Sequence, residues 1–401
     1  MATTKVHASI LHGIRDLQLE ERDLPALGPD DVQVAIKSTG LCGSDLHYFN
    51  HFRSGDILVR EPLTLGHESA GVVTAVGSAV ASLQVGDHVA LEVGQPCERC
   101  ELCRKGRYNI CSEMKFRSSA KTYPHVQGTL QDQIIHPARW SHRLPSSVSL
   151  ELGALVEPLS VALHAAERAN LSAGATVLVF GAGTVGLACA AISKVVSAST
   201  VVIADIREER VRFAVAHGFA DVAIVVPVKR PGTVEARLEF AREVAGMVKS
   251  TTYVGSDQLV GEVSATYECT GVEACLQAAI YATGPGGHIM VIGMGNPVQT
   301  LPISAAAIRE VDLVGVFRYA NTYPKVIELL ASRNPRLPDL TKLITHRVDG
   351  MESIPRAFDM AARVQDEEGK LVIKVMVNMR DNAEVWPGME QRACQPPAMH
   401  V

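Results

Sequence analysis

Two hydrophobic periodicities divide the chain. Between residues 6 and 145 short runs alternate apolar and polar positions, as in 31–38 (DVQVAIKS), 69–76 (SAGVVTAV) and 88–92, the last following the turn Val85-Gly-Asp87. A period of two marks strands with one buried face. From Ala175 onward fully apolar runs alternate with helical ones. Strands are predicted at 176–180, 200–205, 265–270 and 288–294, and helices at 184–196, 207–217, 235–248 and 274–282. Strands that are apolar on both faces, each followed by a helix, build a parallel sheet covered on both sides. Past Pro302 a mixed segment predicts a strand at 312–317, a helix at 323–332 and a last strand at 370–377, then a polar, irregular tail over 378–401. The expected architecture is α/β. A doubly wound parallel sheet over 161–303 is inserted into a β-rich domain made from 1–160 and 304–401.

The first strand-to-helix junction carries a chemical signal. Gly181-Ala-Gly183-Thr-Val185-Gly186 follows an apolar strand and opens a helix. The first glycine permits the tight turn and the second lets the backbone approach a pyrophosphate. The third lets helix and strand pack, and the helix N-terminus faces the anion. Asp205 lies 19 residues past Gly186, at the end of the next strand. A carboxylate there bonds both ribose hydroxyls of NAD and repels a 2′-phosphate. Arg207 and Arg210 follow closely, and an arginine can accept that phosphate. NAD is therefore expected ahead of NADP, contacted by Gly181, Gly183, Val185, Gly186, Asp205 and Arg210. A glycine-rich turn in an ordinary α/β domain explains the glycines alone, but not strand, turn, helix, strand and acid in register.

Composition narrows the class. The 401 residues, 47% of them hydrophobic, are enough for two domains with substantial cores. The net charge is -5 with no long Lys/Arg run, so neither nucleic acid nor an anionic membrane is an expected partner. Residues 175–193 carry no charge over 19 positions, the length of a membrane span, but Gly181, Gly183 and Gly186 interrupt them. Residues 1–25 lack the apolar stretch of a signal peptide. A cytoplasmic location is expected.

Nine cysteines include a tight group, Cys97-x-x-Cys100-x-x-Cys103 and then Cys111 after seven residues. An odd number with one cluster speaks for metal binding rather than a disulfide framework. Four thiolates within 15 residues suit a closed tetrahedral zinc site. An iron–sulfur run would continue with three residues, Cys and Pro, whereas Cys111 is followed by Ser112. A second set is scattered: Cys42, His67, Glu68 and Glu157. Sulfur, nitrogen and oxygen donors suit a catalytic zinc with an open position. Singly, each also reads as a buried thiol or a satisfied polar turn.

Longer stretches settle the comparison. GLCGSDLHY (40–48), LGHESAGVV (65–73), VGDHVALE (85–92), CRKGRYNIC (103–111), ALVEPLSVALHA (154–165), VFGAGTVGL (179–187), YECTGVE (267–273), IREVDLVGVFRYANTYP (308–324) and LITHR (343–347) occur together. Over roughly residues 6–376 the chain resembles the zinc-containing medium-chain dehydrogenases, and within them the sorbitol (iditol) and xylitol dehydrogenase branch. That resemblance implies a Rossmann domain with a GroES-like catalytic domain. It implies a catalytic zinc on Cys42, His67 and Glu68, with Glu157 as fourth ligand or holder of the bound water, and a second, structural zinc on the four clustered cysteines. Asp45 would support His67, Ser44 and His47 would relay a proton, and Tyr48, Arg318 and Tyr319 would contact the substrate. The implied activity is oxidation of a sugar alcohol such as sorbitol, xylitol or L-arabinitol to a ketose with NAD+, in a homotetramer or dimer. The alternatives are an NADP(H)-dependent secondary alcohol dehydrogenase or ketone reductase, and a non-catalytic dinucleotide- and zinc-binding protein. The chain has the complete cysteine lobe that animal sorbitol dehydrogenases often lack, and it departs from the branch in residues 117–129 and 229–262 and in its tail.

Overall fold

The structure, a computed structural model, describes residues 4–196 and 198–380, so the tail expected to be irregular lies almost wholly outside the described residues. Six strands form a parallel sheet in the spatial order Val222–Val225, Thr200–Asp205, Thr176–Phe180, Val263–Glu268, Thr283–Val291, Asp312–Gly315. Numbered along the chain the order is 3-2-1-4-5-6, the doubly wound arrangement whose switch point lies beside its first strand. All five residues of Thr176–Phe180 are buried, as a strand covered on both faces requires. The uncharged stretch resolves into this strand, a turn at Gly181 and the helix Thr184–Val196. Among the described residues no helix is long and apolar enough to cross a membrane.

Two features of this sheet differ from expectation. The strand predicted at 312–317 as part of the second catalytic segment instead pairs in parallel with Thr283–Val291. The nucleotide sheet therefore runs past residue 303. Its sixth strand is short and exposed at an edge, so its sequence carries no mark of which sheet it joins. The edge strand Val222–Val225 was not singled out from the sequence, although the apolar run 222–226 marks it; of its four residues only Ile224 is buried. The segment 229–262 contains the helix Val234–Ser250, which buries Phe240, Ala241, Val244, Ala245 and Val248. It is a covering layer of the sheet, not an appendage.

The second sheet has seven strands and uses both ends of the chain. Asp31–Gly40 lies between Glu68–Val76 and the C-terminal strand Lys374–Asn378, and also pairs with Gln133–Pro137. Met376 lies opposite Gly40 and Gly40 opposite Glu68, so the last strand ends up close to the Glu68 backbone. The helix Val156–Ala169, not singled out from the sequence, buries ten of its fourteen residues, Glu157 and Ser160 among them, and links the two sheets. A continuous apolar cluster runs from Val32 and Ile36 through Leu159 and Ala162 to Val177 and Leu187. This shared core fixes the two halves against each other and leaves their facing loops to form a site.

Candidate active site and metal centres

The four clustered cysteines converge. Sγ–Sγ separations are 3.4 Å for Cys100–Cys103, 3.9 Å for Cys100–Cys111 and 4.0 Å for Cys97–Cys103. A zinc–sulfur bond of about 2.3 Å implies a tetrahedron edge of about 3.8 Å. The spacing therefore fits a zinc ion without rearrangement. Cys100 caps the short helix Glu101–Arg104, and the Cys103 N–H pulls its thiol down to about 7, which favours the thiolate that a metal requires.

The second donor set is assembled from two loops. Cys42 is the N-cap of the helix Gly43–His51. His67 and Glu68 follow Gly66, whose φ of +93° is a left-handed conformation. A Cβ on Gly66 would also lie 2.9 Å from Leu130 and 3.0 Å from Thr129, so only glycine lets the chain turn here. Ligand atoms of Cys42, His67 and Glu68 all lie within 4.8 Å of one another. Asp45, fully buried, organises them. Its Oδ1 accepts from His67 Nδ1 at 3.2 Å, Ser118 Oγ at 2.6 Å and the Gly66 N–H at 3.3 Å, and its Oδ2 from the Cys42 N–H at 3.3 Å. A proton held on Nδ1 leaves the Nε2 lone pair free for a metal, the arrangement that orients metal-binding histidines. Despite its burial, Asp45 is kept below the usual carboxylate range by His67 and by its other donors.

Glu157 sits in the first turn of Val156–Ala169 and is buried. It is not within the tight three-donor set, but it interacts electrostatically with His67, Glu68 and Arg318. Burial pushes its carboxyl up to about 7, against the pull of His67 and with the push of Glu68. Such a group changes protonation near neutrality. Arg318, in a left-handed conformation at φ +51°, lays its guanidinium over the Phe116 ring, with Cζ 3.4 Å from the centroid. The Phe116 ring is in turn 5.6 Å from that of His67. Tyr319 is buried and packs on Tyr323 at 5.3 Å between centroids. Tyr48 is buried too, and its hydroxyl accepts from the Ala120 N–H at 3.3 Å. Ser44 and His47 are three residues apart on Gly43–His51, and so on one face, with His47 exposed.

The segment 117–129 is built into this site. Arg117, buried, donates to the carbonyls of Gln127 and Ile135 and to His136 Nδ1, which pins the segment, while Ser118 reaches Asp45. Neither Phe116 nor Ser118 was singled out from the sequence, where nothing in their spacing points to residues 67 and 45.

Opposite lies the glycine loop. Gly181 has φ +95°, and a Cβ on Gly186 would lie 1.8 Å from the Gly181 carbonyl oxygen. Gly183, in contrast, has open space: its nearest neighbour would be Arg210 Nη1 at 3.7 Å. Asp205 Oδ2 accepts the Ala182 N–H at 2.7 Å and Oδ1 the Arg207 N–H at 2.9 Å, so the acid is fixed against the loop. Val185 is partly exposed in the loop's helix. These residues form the cradle expected of a dinucleotide site.

Comparison with known proteins places the chain among dehydrogenases. Residues 28–146 match the alcohol dehydrogenase GroES-like domain and residues 184–332 the zinc-binding dehydrogenase domain. The chain is 41% identical to a sorbitol dehydrogenase of Arabidopsis thaliana over 93% of this chain and 95% of that one. It is 38% identical to an L-idonate 5-dehydrogenase of Vitis vinifera over 93% and 94%. A crystal structure of an Escherichia coli oxidoreductase/dehydrogenase of unknown specificity superposes with a TM-score of 0.78 at 29% identity, over 94% of this chain and all of that one.

Proposed function

The chain belongs to the zinc-containing medium-chain dehydrogenases, in their sorbitol dehydrogenase branch, and from that premise we propose that it oxidises a sugar alcohol to a ketose with NAD+. The observation that carries the reading is that two buried charged side chains, Glu157 and Arg318, lie within electrostatic reach of each other and of the Cys42, His67 and Glu68 donors without an ion pair between them. An apolar alcohol would leave these polar groups unpaired, whereas a polyol satisfies them. Two zinc ions per subunit are proposed, one on the four cysteines and one on the mixed donor set. NAD+ is preferred because Asp205 would face the ribose hydroxyls. The domain limits we propose are those read from the sequence, with the nucleotide domain extended to include Asp312–Gly315. That strand ends the six-stranded sheet, with Leu313 and Ile303 exposed beside it, and there a second copy would pair in a homo-oligomer.

When bound, Zn2+ supplies Lewis acidity that lowers the pKa of an alcohol, and the nicotinamide supplies a hydride acceptor. The chain's residues do the rest. Asp45 holds the His67 tautomer. Arg318, braced on Phe116, donates to neighbouring hydroxyls and selects which carbon is presented. Ser44 and His47 offer a path for the proton from the buried site to solvent, since His47 is exposed. Glu157, poised near neutrality, holds or takes a proton at its carboxylate as the alcohol ionises.

Initial rates with sorbitol, xylitol, L-arabinitol and a simple secondary alcohol, each with NAD+ and NADP+ and with or without a zinc chelator, test the reading. Chelator-sensitive, NAD+-dependent polyol oxidation is expected, and Cys42→Ser should abolish it in a folded protein. Activity confined to the simple alcohol or to NADP+ overturns the substrate or cofactor assignment.

A further inference from the structure

The charge nearest Glu68 comes from the other end of the chain. Lys374 opens the C-terminal strand and is 3% exposed. Its ammonium donates to both Glu68 oxygens, at 2.8 and 2.7 Å, and to the Leu41 carbonyl at 2.9 Å, so all three N–H groups are used. Glu68 is confined from the other side as well, since a Cβ on Gly40 would lie 2.4 Å from its Oε2. The same segment reaches the glycine loop: the Ile373 carbonyl accepts from Thr184 Oγ1 at 3.0 Å.

We propose that Lys374 is a positioning residue that withholds Glu68 from the catalytic ion, weakening the site's hold on zinc and keeping the ion electrophilic. The inference rests on the reading that Cys42, His67 and Glu68 form that site. A carboxylate whose oxygens both accept from an ammonium has its charge offset by a full positive charge, and so attracts a divalent cation less than a free one. With Lys374 replaced by an apolar residue, Glu68 is buried without a cation, and the ion becomes its best partner.

The test measures zinc affinity by chelator competition in full-length wild type, Lys374→Met, Lys374→Arg, Glu68→Gln and the double variant Glu68→Gln/Lys374→Met. The binding step lost in Cys42→Ser identifies the ion in question. Lys374→Met should hold that ion about ten- to a hundredfold more tightly, the fold-change to which a released charge-assisted hydrogen bond of about 1.5–3 kcal/mol converts. Its cobalt-loaded form should show an altered visible spectrum, and kcat should fall with the site fully loaded. Lys374→Arg should restore the wild-type affinity. The double variant buries no unpaired charge, so it reports even if Lys374→Met does not fold, and it should match Glu68→Gln. Zinc affinity unchanged or weaker in folded Lys374→Met overturns the proposal, as does a double variant that binds zinc differently from Glu68→Gln. Wild-type protein with no binding step sensitive to Cys42→Ser overturns the metal site itself, a separate failure.

Discussion

Two alanine substitutions in the glycine loop should separate folding from cofactor binding. At Gly186 a methyl would sit 1.8 Å from the Gly181 carbonyl oxygen and 2.9 Å from its carbon. Non-bonded contacts settle near 3.5 Å, so the helix must retreat by roughly 1.5 Å. Backbone meets backbone here, and no rotamer relieves it. The helix buries Leu187, Ala188, Cys189, Ala190, Ala191 and Ile192, so the retreat loosens a packed face. Overpacking of this kind costs about 3 kcal/mol or more, which for a domain this size lowers Tm by roughly 6–12 °C. At Gly183 a methyl meets only Arg210 Nη1 at 3.7 Å, an ordinary contact. Without ligand, Gly183→Ala should therefore be neutral or stabilising by about 0.4–1 kcal/mol, because it restricts the unfolded chain. That open space is where the pyrophosphate would lie, and a displacement of about 1 Å by the methyl should weaken NAD+ by about a hundredfold. Thermal unfolding of the free proteins and calorimetric titration with NAD+ measure both quantities. Gly183→Ala that binds NAD+ like wild type, or Gly186→Ala with an unchanged Tm, would refute the reasoning.

Asp205→Asn keeps an acceptor for the Ala182 N–H but removes the charge, and should shift the NADP+/NAD+ preference roughly ten- to a hundredfold toward NADP+, the worth of a charge-assisted bond of about 1.5–3 kcal/mol. An unchanged ratio of kcat/KM values takes Asp205 out of cofactor selection. Cys103→Ser should lower the zinc content by one ion and reduce Tm, and an unchanged ion count by metal analysis counts against the tetrahedral site. Burial, reinforced by Arg117, holds His136 well below the usual histidine range, so it is neutral in the folded protein. The unfolded chain binds the proton below about pH 6.5, so stability present above that pH is lost as pH falls. Tm should drop from about pH 7 to 5, with a shallower slope in His136→Gln. An identical slope in that variant assigns the pH dependence to other groups.

What the sequence disclosed depended on how local the governing constraint is. The glycine loop was legible because its glycines and the acid that follows fall within 25 residues in a fixed spacing, and the cysteine lobe because its four thiols fall within 15 positions. The proposed catalytic donors are 25 residues apart at Cys42 and His67 and farther at Glu157, so only resemblance joined them in the sequence, and the fold brings Cys42, His67 and Glu68 together. The edge strands were misjudged or missed because a short apolar run, such as 222–226, does not say whether it pairs or which sheet it joins. The supporting contacts were least visible: Ser118 meets Asp45 across 73 residues and Lys374 meets Glu68 across 306. Yet Lys374 left one trace, a cation inside the otherwise apolar run LVIKVMV. A lysine in a strand destined for the interior must either snorkel or find an anion. Here the strand is pinned beside Gly40, the ammonium is 3% exposed, and snorkelling is closed. The anion it finds is a proposed metal ligand, so the C-terminal strand is placed to govern how that site would hold its ion.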